Sequence, residues 1–264
     1  MIGAVTYELR AENSARLPFI NGRFMHAAFF KILNEHAPEL GDFVHNNMNL
    51  KPFTVSFLDP IEKLENFEGR WDVRRGDKFL WRVTALNAEI LRAAESVPVD
   101  YKIQAGALPL TIKKIQTVSS VAISEFISRA KNFSHVKEIC FEFVSPVSFR
   151  IDDFDAPYPR ADLIFASLAD KWTQAAMPAG ADKKIIQELA AQVRLTQWQG
   201  QCQKFYLASN RGVTAFFGKF LYDVEALSRD VQKVFLLLAK FGEYAGVGRL
   251  TGQGFGQTRV EFRR

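Results

Sequence analysis

Apolar positions along this chain follow strand and helix periods in an order that occurs twice. Residues 3 to 10 read as an opening strand, and Pro18 and Asn21-Gly22 punctuate the chain before a helix. Phe24, Ala27, Ala28, Lys31 and Ile32, with Phe29 and Phe30, set a helical pattern to about Asn34. PELGDFVHNN reads as a short second helix with Pro38 near its start. KPFTVSFL and KFLWRVTAL alternate as strands, NAEILRAAES is helical, and YKIQ with LTIKKIQTV reads as a hairpin. The first half therefore predicts β-α-β-β-α-β.

A linking helix is predicted near Ser124 to Lys131, after which the order begins again. In HVKEICFEFVSPVSFR, Ile139, Phe141 and Phe143 share one face and Glu138 and Glu142 the other. RADLIFASLADKWTQA is an amphipathic helix, a helical insertion follows near Asp182 to Ala191, and VRLTQWQGQCQKFYLA and GVTAFFGKFLYDV read as strands joined by a turn at Ser209 to Gly212. Leu227, Val231, Val234, Phe235, Leu238 and Phe241 predict a closing helix that stops at Gly242, and TRVEF a final strand. The fold class expected is α+β, with two tandem ferredoxin-like (RRM-like) domains. Their expected bounds are residues 1–123 and 135–264, with a linker helix over 124–134. Phe216, Phe220 and Tyr222 fall on one face of a predicted strand; they read as core rather than as a base-stacking platform, because a helix covers one sheet face in this architecture.

With 264 residues and 48% apolar content, the chain is long enough to bury a substantial core. No run approaches the roughly 18 apolar residues of a membrane span, and MIGAVTYELRAENSAR lacks a basic start followed by an apolar signal core. A cytoplasmic protein without membrane association is expected. Cys140 and Cys202 form neither a disulfide framework nor a zinc spacing, and Cys140 reads as a buried thiol. Neither a metal nor a cofactor is expected. The net charge of +5 is modest but segregated. From Arg194 to Phe220 the charges are Arg194, Lys204, Arg211 and Lys219, and the last segment carries Arg249, Arg259, Arg263 and Arg264 against Glu261. Such a surface attracts a phosphate backbone, although scattered solvated cations account for it equally well.

GEYAGVGRLTGQGFGQ places glycines at 242, 246, 248, 252, 254 and 256. Glycine lets backbone amides approach a ligand, so this stretch with Arg249 suits phosphate oxygens, while a tight helix-to-strand turn explains it without a ligand. A dinucleotide fingerprint needs a strand before and a helix after, the reverse of the order here, and the Gly-Lys-Ser/Thr of a phosphate-binding loop is missing.

Taken together, HAPELGDFVHNN, KPFTVSFL, FVSPVSFR with FASLADKW, and YAGVGRLTGQGFGQTRV resemble, in that order and over nearly the whole chain, the Cas6 family of CRISPR-associated endoribonucleases. The glycine-rich stretch is the most specific of the four. The resemblance implies metal-independent cutting of CRISPR repeat RNA into guide RNAs. A 2′-OH attacks the adjacent phosphate and leaves a 2′,3′-cyclic phosphate and a 5′-OH. It also implies that Gly246, Gly248, Arg249, Gly252, Gly254, Gly256 and Arg259 bind RNA. The family's catalytic histidine position matches His45, and its basic residue beside the strand matches Lys51. A Tyr-like position in the first helix holds Phe30, which has no proton to give, and His26, four residues earlier on the same face, is the candidate substitute. His36 fits a helix end, and His135 lies at a strand start beyond the first domain. Further implied partners are subunits of a CRISPR effector complex, with monomer and homodimer both open. A non-catalytic RRM-like RNA-binding subunit of such a complex is the alternative reading.

Overall fold

The computed structural model describes residues 1–264 apart from 48–50, 134, 157, 179–180 and 208–211; for 45–47, 117, 118 and 131 it describes the backbone alone. The predicted turn at Ser209 to Gly212 lies outside the described residues except for Gly212. The chain divides into two compact units, one of residues 1–120 with 252–254 and one of 121–251 with 255–264. Among the described residues, no helix is long and apolar enough to cross a membrane.

The first unit runs β1 (Ile2–Ala11), β2 (Ala15–Pro18), α1 (Gly22–His36), α2 (Pro38–Asn47), β3 (Phe53–Val55), β4 (Asp59–Pro60), β5 (Asn66–Phe67), β6 (Arg70–Val73), β7 (Lys78–Ala85), α3 (Ala88–Glu95), β8 (Lys102–Ala105) and β9 (Leu108–Val121). Its main sheet has the order β3-β7-β1-β9-β8, with β7 antiparallel to both β1 and β3. Read as first, second, third and fourth strands, β1, β3, β7 and β9 give the 2-3-1-4 order of a split β-α-β fold. Met25, Ala28, Phe29, Ile32 and Leu33 recur at the helical period along α1 and are buried. Phe29 meets Phe53 of β3 at 4.8 Å between ring centroids, and Tyr7 of β1 meets Trp81 of β7 at 5.1 Å. The Tyr7 hydroxyl donates to the Ala94 carbonyl of α3 at 2.6 Å, which satisfies a fully buried polar atom. Asn87 caps α3 by accepting from the Ile90 amide.

The second unit follows with α4 (Ile123–Lys131), β10 (Glu138–Val147), β11 (Phe149–Ile151), β12 (Phe154–Ala156), α5 (Ala161–Gln174), α6 (Lys183–Leu189), β13 (Arg194–Tyr206), β14 (Gly212–Asp223), α7 (Arg229–Ala245) and β15 (Thr258–Arg263). Its sheet order, β13-β14-β10-β15, is the same 2-3-1-4 arrangement. Ile139, Phe141 and Phe143 are buried as their alternation predicts, and Cys140 is buried on the opposite side of the strand. Phe216, Phe220 and Tyr222 are at most 2% exposed, which makes them core. Phe165 of α5 and Phe235 of α7 meet at 4.4 Å over this sheet.

Three features depart from the sequence reading. α7 passes through Gly242 and ends at Ala245: a Cβ at Gly242 would come within 3.3 Å of Leu168, and the cap with positive φ is Gly246. The acidic stretch from Asp59 to Glu68 carries the short strands β4 and β5, and β5 joins a small sheet of order β2-β6-β5. Their few residues give no readable alternation. The run into FVSPVSFR breaks after Val147, so that β11 pairs separately with β12.

One charged side chain lies inside the second unit. Lys171 of α5 is 3% exposed, and burial pulls its ammonium from an ordinary value of 10.5 down to about 7, with Asp170 opposing that shift. In the folded chain it sheds its proton near pH 7, whereas the unfolded chain holds it to 10.5. Raising the pH through that interval therefore favours the folded form. The stability of the native chain relative to Lys171→Met is expected to rise between pH 6.5 and 9.5, measured as the difference in thermal midpoints at each pH.

Candidate functional site

Asn21 sets the start of α1. It is fully buried, its Nδ2 donates to the Pro18 carbonyl at 3.1 Å, and its Oδ1 accepts from the Leu58 amide at 2.9 Å. One turn into the helix, His26 Nδ1 lies 2.7 Å from the Gly252 carbonyl oxygen. A carbonyl only accepts, so Nδ1 carries the hydrogen and the neutral ring presents Nε2 as an acceptor. The imidazole is 4.8 Å from the Phe30 ring, edge to face, and 5.7 Å from Phe53, stacked.

Phe30 stands between the histidine and a cation. Lys51 Nζ lies 5.9 Å from the Phe30 centroid and donates to the Val44 carbonyl at 2.6 Å. Partial burial lowers the Lys51 pKa. His26, Phe30 and Lys51, with Ala27, Lys31, Asn34 and Glu35, line an open cavity of about 650 Å³. His45 follows Val44 on α2; its backbone is helical and its side chain lies outside the described residues. His36 ends α1 and sits 5.8 Å from Tyr101, while His135 is exposed with φ 57° at the approach to β10. Of the candidate catalytic side chains, the structure brings His26 and Lys51 to one cavity.

The glycine-rich stretch is held through its own backbone. The amides of Gly246, Val247, Arg249 and Gly256 donate to the carbonyls of Gly242, Gly256, Ser148 and Pro146, each at 2.9 Å, and the Gly248 amide donates to Ser167 Oγ at 3.0 Å. Thr251–Gln253 then close a short 3-10 turn, and the Phe255 amide donates to the Leu250 carbonyl at 3.3 Å. Arg249 points back into the second unit, where its guanidinium pairs with Asp155 and its Nε donates to Ser148 Oγ at 3.1 Å. Arg259 on β15 is largely exposed, with Glu142 at 3.9 Å. Sequence reasoning missed Asn21, Ser167, Lys171 and the Gly252 carbonyl. Lys171 alone carried a signal, as a lysine between Leu168 and Trp172 on an apolar helix face.

Comparison with known proteins bears on both units. The family model described as the CRISPR Cas6 N-terminal domain matches residues 5–124, and that of the CRISPR-associated endoribonuclease Cas6 matches 141–258. The chain belongs to the Cas6 family. A Cas6 endoribonuclease of Mycobacterium tuberculosis (strain H37Rv) is 28% identical over 120 residues, covering 46% of this chain and 38% of that protein. One from Streptococcus thermophilus is 24% identical over 158 residues, covering 59% of this chain and 63% of its own length. These alignments thus span less than two thirds of either relative. Among solved structures, a Cas6 product complex superposes with a TM-score of 0.77 at 23% identity, covering 99% of this chain and all of that one. A Thermus thermophilus Cas6 gives 0.67 at 22%, covering 99% and 98%. At these identities the superpositions establish the fold, tandem ferredoxin-like domains in an α+β chain.

Two loop glycines of this Cas6-family chain differ in what they tolerate. Gly254 has φ +89°, and a Cβ there would lie 2.4 Å from the Phe57 ring, whereas a Cβ on Gly252 meets only the His26 ring at 3.4 Å. Gly254→Ala is expected to cost about 1–3 kcal/mol of stability and Gly252→Ala within about 0.5 kcal/mol, compared by urea unfolding.

Proposed function

We propose that this chain is a metal-independent endoribonuclease that cuts CRISPR repeat RNA to release guide RNAs. The observation that carries the reading is the cavity that holds His26 and Lys51 together, with His26 Nδ1 committed to the Gly252 carbonyl. Family membership supplies the substrate class.

Cleavage within RNA without an added nucleophile needs three groups: a base for the 2′-OH proton, an acid for the departing 5′ oxygen, and a cation for the phosphorane. The 2′ oxygen bonds to phosphorus as its proton passes to the base, the bond from phosphorus to the 5′ oxygen breaks, and that oxygen takes a proton from the acid. The products are a 2′,3′-cyclic phosphate and a free 5′-OH. His26 and His45 divide the two proton roles. The Nε2 of His26 accepts in the neutral ring and donates in the imidazolium, and the bond at Nδ1 keeps the ring oriented in either state. Lys51, tethered beside α2, supplies the cation. Substrate is held by the glycine-rich stretch: Gly252 and Gly254 lie at its short 3-10 turn, Gly246, Gly248 and Gly256 shape it, and Arg259 meets phosphate from the sheet. Arg249 joins them by exchanging Asp155 for a phosphate.

Phe30 favours one other reading. It puts a phenyl ring in the cavity where the family resemblance expects a hydroxyl, which suits a non-catalytic RNA-binding subunit of an effector complex. Incubating the purified protein with repeat RNA and a chelator separates the two, since only the enzyme yields cut RNA.

His26→Ala and His45→Ala are each expected to slow single-turnover cleavage by on the order of 10²-fold or more while repeat RNA still binds. Normal turnover by either variant removes that histidine from the chemistry. A repeat RNA with 2′-deoxy at the cut site is expected to bind and stay intact; its cleavage excludes the 2′-OH as nucleophile.

A further inference from the structure

Within the second unit, the buried side chain of Lys171 has no part in the chemistry above. Lys171 Nζ donates to the Gly246 carbonyl at 2.8 Å and the Ala245 carbonyl at 3.2 Å, and lies 3.5 Å from Thr251 Oγ1. The two carbonyls end α7, where the helix leaves its last acceptors without helical partners. Thr251 stands at the other end of the 246–251 segment. Ser167, four residues before Lys171 on the same face of α5, accepts the Gly248 amide at 3.0 Å. One helix thus grips the beginning, middle and end of a segment that has few side chains with which to hold itself.

The energetics set this grip apart from ordinary packing. Burying an amine costs several kcal/mol unless its hydrogens find acceptors, and here they find them in the glycine-rich segment itself. A methionine of similar length would fill the same space without that desolvation, but would leave the Gly246 and Ala245 carbonyls without this donor. Ordering a glycine-rich segment is also entropically expensive, so fixing it before the ligand arrives removes that cost from binding.

We infer that Lys171 and Ser167 are positioning residues that hold residues 246–251 in the conformation that receives RNA. The inference rests on the reading that the glycine-rich stretch binds repeat RNA. Neither side chain is assigned a contact with RNA.

The test uses the full chain, as wild type, Lys171→Met and Ser167→Ala. Three quantities are measured: amide hydrogen exchange over 246–251 in the free protein, the Kd for a repeat RNA with 2′-deoxy at the cut site, and the single-turnover rate of the all-ribose RNA at saturating protein. For Lys171→Met, faster exchange is expected, with a Kd raised roughly tenfold by the restored ordering cost and a saturated rate within about twofold of wild type. A variant that is merely less stable loses active fraction, which lowers the amplitude and leaves the Kd of the folded molecules unchanged. Unchanged exchange and unchanged Kd in Lys171→Met overturn the inference. Should Lys171→Met fail to fold, Ser167→Ala decides: lost protection of the Gly248 amide with a Kd raised by about threefold supports the inference, and wild-type values overturn it. Wild-type protein that does not bind the repeat RNA overturns the underlying reading instead, an outcome visible before any variant is compared.

Discussion

A segment rich in glycine has few side chains to pack, so its shape depends heavily on partners for its main-chain polar groups. From Gly246 to Arg249 every amide has one, and the partners come from α7, from the far end of the segment, from Ser167 on α5 and from the end of β10 beyond Val147. The second unit's strand order brings those donors and acceptors together: β15, which leaves the glycines, pairs with β10, whose far end leads to the Ser148 carbonyl. Satisfying the main chain thus ties the local shape of the segment to the topology of the whole unit.

The cavity in the first unit obeys a related rule. An imidazole is oriented when one of its nitrogens is held by a fixed partner. Gly252 holds Nδ1 with an oxygen that cannot ionise, so the bond persists whichever way Nε2 is protonated. An aspartate in that place would favour the imidazolium and bias the ring toward the acid role. Phe30 and Phe53 confine the ring on two sides, and Phe30 also faces the Lys51 ammonium, a contact that orients the cation without neutralising it.

Much of this architecture was legible in the sequence. α1, α3, β1, β7, α5 and β14 follow from period and caps within a residue or two, because each buries a regular apolar face, and β10 was legible except for its ends. β4, β5, β11 and β12 were not legible, since two or three residues carry no period and their pairing is decided by neighbours distant in sequence. Gly242 misled for a physical reason: a glycine late in a helix is a stop when the chain needs positive φ, and a spacer when another helix comes close. Leu168 of α5 makes it a spacer. For the cavity, the family likeness singled out Lys51 and the Tyr-like position held by Phe30, and the four-residue spacing from Phe30 singled out His26. The carbonyl of Gly252, 226 residues from His26, left no trace in the pattern, because any residue brings a carbonyl. Arg249 shows the converse limit, since its charge was evident but its commitment to Asp155 depended on the fold.

On the outward side of the second sheet, Glu142 of β10 lies directly opposite Lys219 of β14 and Arg259 of β15, at 3.6 and 3.9 Å. A carboxylate shared by two cations is a counterion built into the protein. A polyanion that reaches either cation there displaces this resident charge in part, rather than relying only on the ions condensed around its own strand. The number of basic residues on this face would therefore overstate the number of small ions set free by a polyanion bound there. Glu142 thus sets a negative charge between two cations, so the local field of this face is weaker than the arginine and lysine content of the sequence suggests.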